Sequence, residues 1–173
     1  MTLPLDGVRV LELARTIAGP FCSMTLADMG AEVIKIEEPR QGDETRGMTP
    51  IWNGESAVYL AVNRNKKSVA IDLKSDAGRE IVLRLADLSD VLIENFRTGA
   101  LERMGLGYAQ VSARNPRIIY CSVSGFGRTG PLAHKAAYDF IVQGYGGGMS
   151  VTGTKPAGGQ AITVTVGGGA SCG

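Results

Sequence analysis

The stretch Asp90-Val91-Leu92-Ile93-Glu94-Asn95-Phe96-Arg97-Thr98-Gly99-Ala100-Leu101-Glu102-Arg103-Met104-Gly105-Leu106-Gly107 decides how the chain is read. Val91 to Ile93 is an apolar, β-branched run that passes without proline into Glu94, Asn95 and Phe96. That pattern reads as a buried parallel strand ending in polar residues, the end at which ligands meet open α/β sheets. Thr98 is expected to cap a short helix carrying Leu101, Arg103 and Met104, which brings free N–H groups, Arg97 and Arg103 to one strand terminus. Such an arrangement suits an anion. Two solvated surface arginines beside an ordinary loop fit this stretch equally well.

Working outward, strands and helices alternate. Val8 to Leu13 predicts a strand; Pro20 suits the first position of a helix through Met29, and Gly30 suits its stop. Ala31 to Ile36 predicts the next strand and closes a right-handed β-α-β unit. Residues 37–47 form a polar loop whose Arg40, Asp43 and Arg46 are expected to face solvent or a ligand. A short helix over Ser56 to Val62 precedes a strand over Ser68 to Leu73. Ser75 or Asp76 caps a helix on which Ile81, Val82, Leu85 and Leu88 recur at helical spacing. After the opening stretch, a helix over Gly107 to Ala113 leads to a strand over Arg117 to Val123. The fold class is therefore α/β: an open, mostly parallel sheet with flanking helices. Beyond Ser124 the texture changes, because 14 of the 24 glycines lie there. A helix over Tyr138 to Tyr145 and an alternating strand over Ala161 to Val166 are still readable, and the turn Gly125-Phe126-Gly127 reads as flexible.

At 173 residues and 44% hydrophobic content the prior is one soluble globular domain. Eighteen basic against 17 acidic residues leave a net charge of +1, so no bulk field argues for nucleic acid or a membrane surface. Three scattered cysteines favour reduced thiols, and a single histidine argues against a metal site. Neither a signal peptide nor an apolar span is legible, so a cytoplasmic protein is expected.

The Gly-x-Gly-x-x-Gly dinucleotide fingerprint and the phosphate-loop Gly-Lys-Ser/Thr pattern are both absent, which disfavours nicotinamide and nucleotide-hydrolysing chemistry. What remains is Asn63, Lys66, Lys67, Lys74, Arg97 and Arg103 in loops expected to converge at the carboxyl edge of the sheet. Several cations, two aromatic or amide groups and few acids suit a phosphorylated, extended ligand with an adenine and a thioester or amide arm. For Lys66 and Lys67 alone, a solvated charge pair is the better reading.

A set of ordered blocks carries a resemblance: Ala18-Gly19-Pro20, Gly30-Ala31-Glu32-Val33-Ile34-Lys35-Ile36-Glu37, Gly42-Asp43-Glu44-Thr45-Arg46, Asn63-Arg64-Asn65-Lys66-Lys67-Ser68, Glu94-Asn95-Phe96, Gly105-Leu106-Gly107-Tyr108 and Ser124-Gly125-Phe126-Gly127-Arg128-Thr129-Gly130-Pro131. Together they resemble the class III coenzyme A transferase family, which includes formyl-CoA and carnitine-CoA transferases and acyl-CoA racemases. The resemblance implies a Rossmann-like large domain that binds coenzyme A, here its N-terminal part over residues 1–153. It also implies a separate small domain further along a longer chain, an interlocked homodimer, and an acyl-CoA and a carboxylic acid as substrates.

Carried over by position, it places Ile17 and Ala18 beside the thiol arm and Ile71, Asp72, Leu73 and Lys74 around the adenine nucleotide. Asn95, Phe96 and Arg97 follow along the pantetheine path, Arg103 takes a phosphate, and Lys135 and Tyr138 lie on the acceptor side. Glu38 stands where some relatives have a basic adenine contact, so Arg40 substitutes for it. Arg15 and Ile17 replace polar residues of the formyl-CoA enzyme, which argues against that substrate. The run Tyr138 to Gly153 resembles the transferase branch; a racemase is an alternative, although His134 is too far upstream for the racemase histidine. Transferases of the family use an aspartate about thirty residues after Asp139 as nucleophile, and here Ala170 falls in that position, with no Asp after Asp139. The expectation is thus an N-terminal part that is inactive as given, residues 154–173 being a truncated or divergent glycine-rich tail and the small domain absent. The alternative from another class is a noncatalytic CoA-binding or dimerisation module.

Overall fold

The computed structural model describes residues 2–151. Five parallel strands, β1 (Arg9–Glu12), β2 (Glu32–Glu37), β5 (Lys66–Ala70), β6 (Val91–Glu94) and β7 (Ile119–Ser122), form one sheet in the spatial order β5-β2-β1-β6-β7. A two-residue hairpin, β3 (Ile51–Trp52) with β4 (Glu55–Ser56), sits in the connection between β2 and β5. The helices are α1 (Ala18–Asp28), α2 (Ala57–Asn63), α3 (Asp76–Asp87), α4 (Ala100–Arg103), α5 (Tyr108–Arg114), α6 (Asp139–Tyr145) and α7 (Gly148–Val151). The expected α/β sheet with flanking helices is what forms.

Two-residue periodicity on β1 divides the core. Val10 joins Ala14, Ala27, Ala31, Val33 and Ile93 on the α1 face, whereas Leu11 joins Val82, Ala86, Leu92, Leu106 and Val111 on the α3 and α5 face. The register Leu11↔Ile34 and Leu11↔Leu92 places β1 at the centre, covered on both sides. The chain winds outward from β1 through β2 to β5, then returns to lay β6 on the other side of β1. At that reversal the loops after β1 and β6 diverge and leave a crevice at their carboxyl ends.

Local signals hold in several places. Ser56 caps α2 and Ser75 caps α3, each by accepting a backbone N–H, from Tyr59 and Gly78 respectively. Gly30 ends the α1 segment at φ +104°. Other readings change. Pro20 is the third residue of α1, where its missing N–H is still one of the unpaired first-turn donors. Thr98 does not cap α4: Gly99 at φ +83° takes that place, and the Thr98 hydroxyl donates to the Ala133 carbonyl at 2.8 Å. The fifth strand runs over Lys66–Ala70, not Ser68 to Leu73. Its apolar successors Ile71 and Leu73 pack under the α3 face from a loop, which is why they look like strand residues in the sequence. The Gly125 turn is not simply flexible, since a Cβ there would lie 2.2 Å from Ala137 Cβ. The strand expected over Ala161 to Val166 and the tail over 154–173 lie outside the described residues.

Candidate functional site

Two concavities open at the carboxyl end of the sheet. One, of about 480 Å³, is lined by Arg15, Thr16, Glu44, Phe96, Arg97, Arg103 and Tyr138, with Asn95 and Met48 between them. The other, of about 310 Å³, has an apolar lining of Leu13, Ile36, Ile71, Leu73, Phe96 and Met104, rimmed by Glu38, Asp72 and Lys74. Arg15 and Phe96 line both, so the two form one bent groove. At the bend the Arg15 guanidinium lies 4.9 Å from the centre of the Phe96 ring.

The bend is rigidly built. Asn95, buried at 5% exposure, uses its side-chain amide as a surrogate strand: its oxygen accepts the Arg15 N–H at 2.9 Å and its nitrogen donates to the Arg15 carbonyl at 2.7 Å. Asn95 therefore shapes the groove by bracing Arg15. Thr16 follows at φ +67°, a region β-branched residues rarely enter. Both oxygens of Asp43 accept its N–H, each at 3.3 Å, and hold it there.

Beneath this loop lies a buried ionic network. Lys35 Nζ meets Glu12 at 3.0 Å and Asp43 at 2.8 Å and donates to the Ala14 carbonyl at 3.0 Å. Lys66 Nζ meets the other Glu12 oxygen at 2.9 Å and donates to the Pro20 carbonyl at 2.8 Å and to Asn63 Oδ1 at 3.0 Å. Ser23 Oγ donates to Glu12 at 2.7 Å. Two ammonium groups against two carboxylates leave the cluster neutral, as burial requires. Burial pushes Lys66 down to about 8, with Glu12 opposing that fall. Burial works against ionised Asp43 too, but Lys35 and the Thr45 donors hold its carboxyl below the usual value. A neighbouring cluster centres on Glu37. Burial opposes its charge, yet Arg46, Ser68, the Asp43 N–H and Tyr59 hold it down to about 2. Asp43 and Arg46, expected to face outward, instead tie the 37–47 loop inward. Lys66 is not a solvated partner of Lys67: its side chain is 2% exposed, whereas Lys67 is 70% exposed and pairs with Glu32 at the opposite end of the sheet.

The unpaired cations gather mostly at one edge of the sheet. Among the described residues, Arg40, Lys74, Arg97, Arg103, Arg117 and Lys135 are the Lys and Arg side chains without an ion pair. All but Arg117 lie in segments that follow the carboxyl end of a strand. Of the six polar residues expected to converge there, Lys74, Arg97 and Arg103 do, while Asn63 and Lys66 are drawn into the network and Lys67 points to the far edge.

The other expected site residues divide similarly. Ile71 to Lys74 line the apolar concavity, and Asn95, Phe96, Arg97, Arg103 and Tyr138 line the larger one. Lys135 borders an adjoining recess that it shares with Phe96 and Arg97. Ile17 and Ala18 are half-buried at the entry to α1, directly after Thr16. Arg40 is exposed on the turn after β2, outside both linings. Ala170 lies outside the described residues. No group of His, Cys, Asp and Glu suited to a metal ion occurs among the described residues. Sequence reading named Arg15 only as a replacement for a polar residue of the formyl-CoA enzyme, and missed Thr16, Glu44 and Met48 as groove residues, although their place after β1 and β2, beside the reversal of strand order, was a usable signal.

Succinyl-CoA:glutarate CoA-transferase of Mus musculus is 51% identical to this chain over 153 residues, covering 88% of the chain and 35% of that relative. Acetyl-CoA:oxalate CoA-transferase of Acetobacter aceti is 47% identical over 150 residues, covering 87% and 39%. The chain thus spans little more than a third of the length of these relatives. The crystal structure of a CAIB/BAIF family protein from Brucella suis superimposes with a TM-score of 0.86 at 47% identity, covering 95% of this chain and 44% of that one. Residues 5–171 match the family described as CoA-transferase family III, and the chain belongs to that family.

Proposed function

We propose that this chain supplies the coenzyme A-binding half of a transferase that moves coenzyme A between carboxylic acids. One observation carries the reading: three cations without ion pairs, Lys74, Arg97 and Arg103, line a groove with one apolar concavity, and Arg40 and Lys135 stand outside that lining. A nucleotide with several phosphates and a long uncharged arm has the matching chemistry. In this reading Ile71 to Leu73 and Met104 form the adenine shelf, and Lys74, Arg40 and Arg103 meet phosphates. Phe96 and Arg97 follow the pantetheine arm towards Ile17 and Ala18, and Lys135 and Tyr138 face the acceptor. The acids in the names of the two relatives above include succinate, glutarate and oxalate, each with two carboxylates, which supports a dicarboxylic acid class.

The exchange itself calls for a carboxylate nucleophile at the position the resemblance gives to Ala170, and no Asp or Glu follows Asp139. The 173 residues are therefore expected to bind coenzyme A without exchanging it. The homodimer is part of the same proposal. Support for it comes from α6, whose Phe140 and Tyr145 are 60% and 71% exposed, an apolar face in want of cover. Titration calorimetry tests the binding: saturable uptake of coenzyme A, weakened about tenfold or more by Arg103→Ala, is expected from the loss of one charge-assisted contact. A folded chain that takes up no coenzyme A overturns the reading. Measurable acyl-CoA exchange by the 173-residue chain overturns the role given to Ala170.

A further inference from the structure

Three arginines face the larger concavity, and they are not equivalent. Arg97 and Arg103 belong to the segment after β6 and have no carboxylate partner. Arg15 is anchored differently. Its backbone is locked by both ends of the Asn95 amide, and its guanidinium rests against the Phe96 ring. One carboxylate lies near it: Glu44 Oε1 is 3.6 Å from Nη1, beyond hydrogen-bond length, and the Glu44 side chain is 64% exposed. Such a pair is weak and easily exchanged.

The guanidinium stands at the bend of the groove, and Glu44, the carboxylate nearest to it, lines the larger concavity together with Phe96, Arg97 and Tyr138. In the coenzyme A reading the larger concavity takes the pantetheine arm and the acceptor, so a group that meets the Glu44 side of Arg15 there is the acyl part of a thioester. Stacked on a ring, a guanidinium keeps its N–H edge free, and the planar group that matches that edge is a carboxylate. We infer that Arg15 is a specificity-determining residue that takes the distal carboxylate of a dicarboxylic acyl group, with Glu44 as the stand-in partner that this carboxylate displaces. The inference rests on the coenzyme A reading and adds to it the residue that selects among acyl groups.

The test is calorimetry of the full 173-residue chain with coenzyme A, succinyl-CoA and butyryl-CoA, the last two differing in whether the acyl chain ends in carboxylate or methyl. Succinyl-CoA is expected to bind about tenfold more tightly than butyryl-CoA, the worth of one partly exposed charge-assisted pair. Arg15→Gln should bring that ratio close to one. Glu44→Gln should widen it, because the competing carboxylate is gone. A ratio near one in the unmodified chain overturns the inference, as does an Arg15→Gln variant that weakens both thioesters by the same factor, which would make Arg15 a phosphate contact. Should Arg15→Gln fail to fold, Glu44→Gln decides, and an unchanged ratio in it refutes the assignment. Failure of the unmodified chain to bind coenzyme A itself is a distinct result and removes the ligand reading first.

Discussion

Lys66 gives the most demanding prediction about how the groove is supported. Its ammonium is 2% exposed, bound to Glu12, the Pro20 carbonyl and Asn63, and burial lowers it from the ordinary 10.5 to about 8. Between those two values the unfolded chain holds more protons than the folded one, so stability rises with pH. At about 1.4 kcal/mol per pH unit the full effect is about 3 kcal/mol, of which about 2 kcal/mol should develop between pH 7 and 9.5. Other groups push the opposite way. Burial raises Cys22, Cys121, Tyr59 and Tyr120, so each of these ionises first in the unfolded chain and lowers stability at high pH. They are present with and without Lys66, and the difference between unmodified chain and Lys66→Met isolates the lysine. A Cys22→Ala background removes the thiol that, among the described residues, responds to Lys66.

Urea unfolding followed by circular dichroism at pH 7, 8, 9 and 9.5 is the assay. The margin of the Lys66 chain over Lys66→Met should grow by about 2 kcal/mol across that range. A margin that stays flat would refute the reasoning, because it would mean that the ammonium is as well solvated in the fold as in the unfolded chain, contrary to its burial between β1 and α1.

Two further substitutions probe the same architecture. Glu12→Gln leaves Lys35 and Lys66 with Asp43 as their one buried carboxylate and should cost about 3–5 kcal/mol at pH 7, measured by urea midpoint. Asn95→Ala removes both amide bonds to the Arg15 backbone and should cost about 2 kcal/mol; in calorimetry it should also erode any preference for succinyl-CoA over butyryl-CoA, since it frees the loop that aims Arg15.

What the sequence discloses follows the range of each interaction. β6 and the cap at Ser75 are written in consecutive residues, and the alternation of strand and helix specifies a parallel sheet before any contact is known. The C-terminal limit of β5 is misread because Ile71 and Leu73 are buried by tertiary packing and not by the ladder, and apolarity alone does not separate the two. Thr98 looks like a cap because its neighbours fit the pattern, but its hydroxyl is taken by Ala133, 35 residues away. The larger gap concerns charge. Glu12, Lys35, Asp43 and Lys66 come from separate segments, and they meet because β1, β2 and β5 lie side by side, one after the other outward from the centre. Strand order is the missing information, and without it Lys66 and Lys67 look alike.

Strand order also explains why the two populations of charge separate so cleanly. A side chain that crosses the sheet towards β1 enters a buried layer, where a cation persists only beside a carboxylate. Lys35 and Lys66 take that path and are neutralised by Glu12 and Asp43. Side chains leaving the strand ends into the loops meet solvent, where a lone cation costs little and remains available. Arg15 lies on the boundary: its backbone belongs to the braced loop above the network, while its guanidinium is 46% exposed in the groove with only the loose Glu44 beside it. The rigid half sets where the charge stands and the exposed half leaves it able to exchange partners, and these are the two properties required of a residue that tells one acyl group from another.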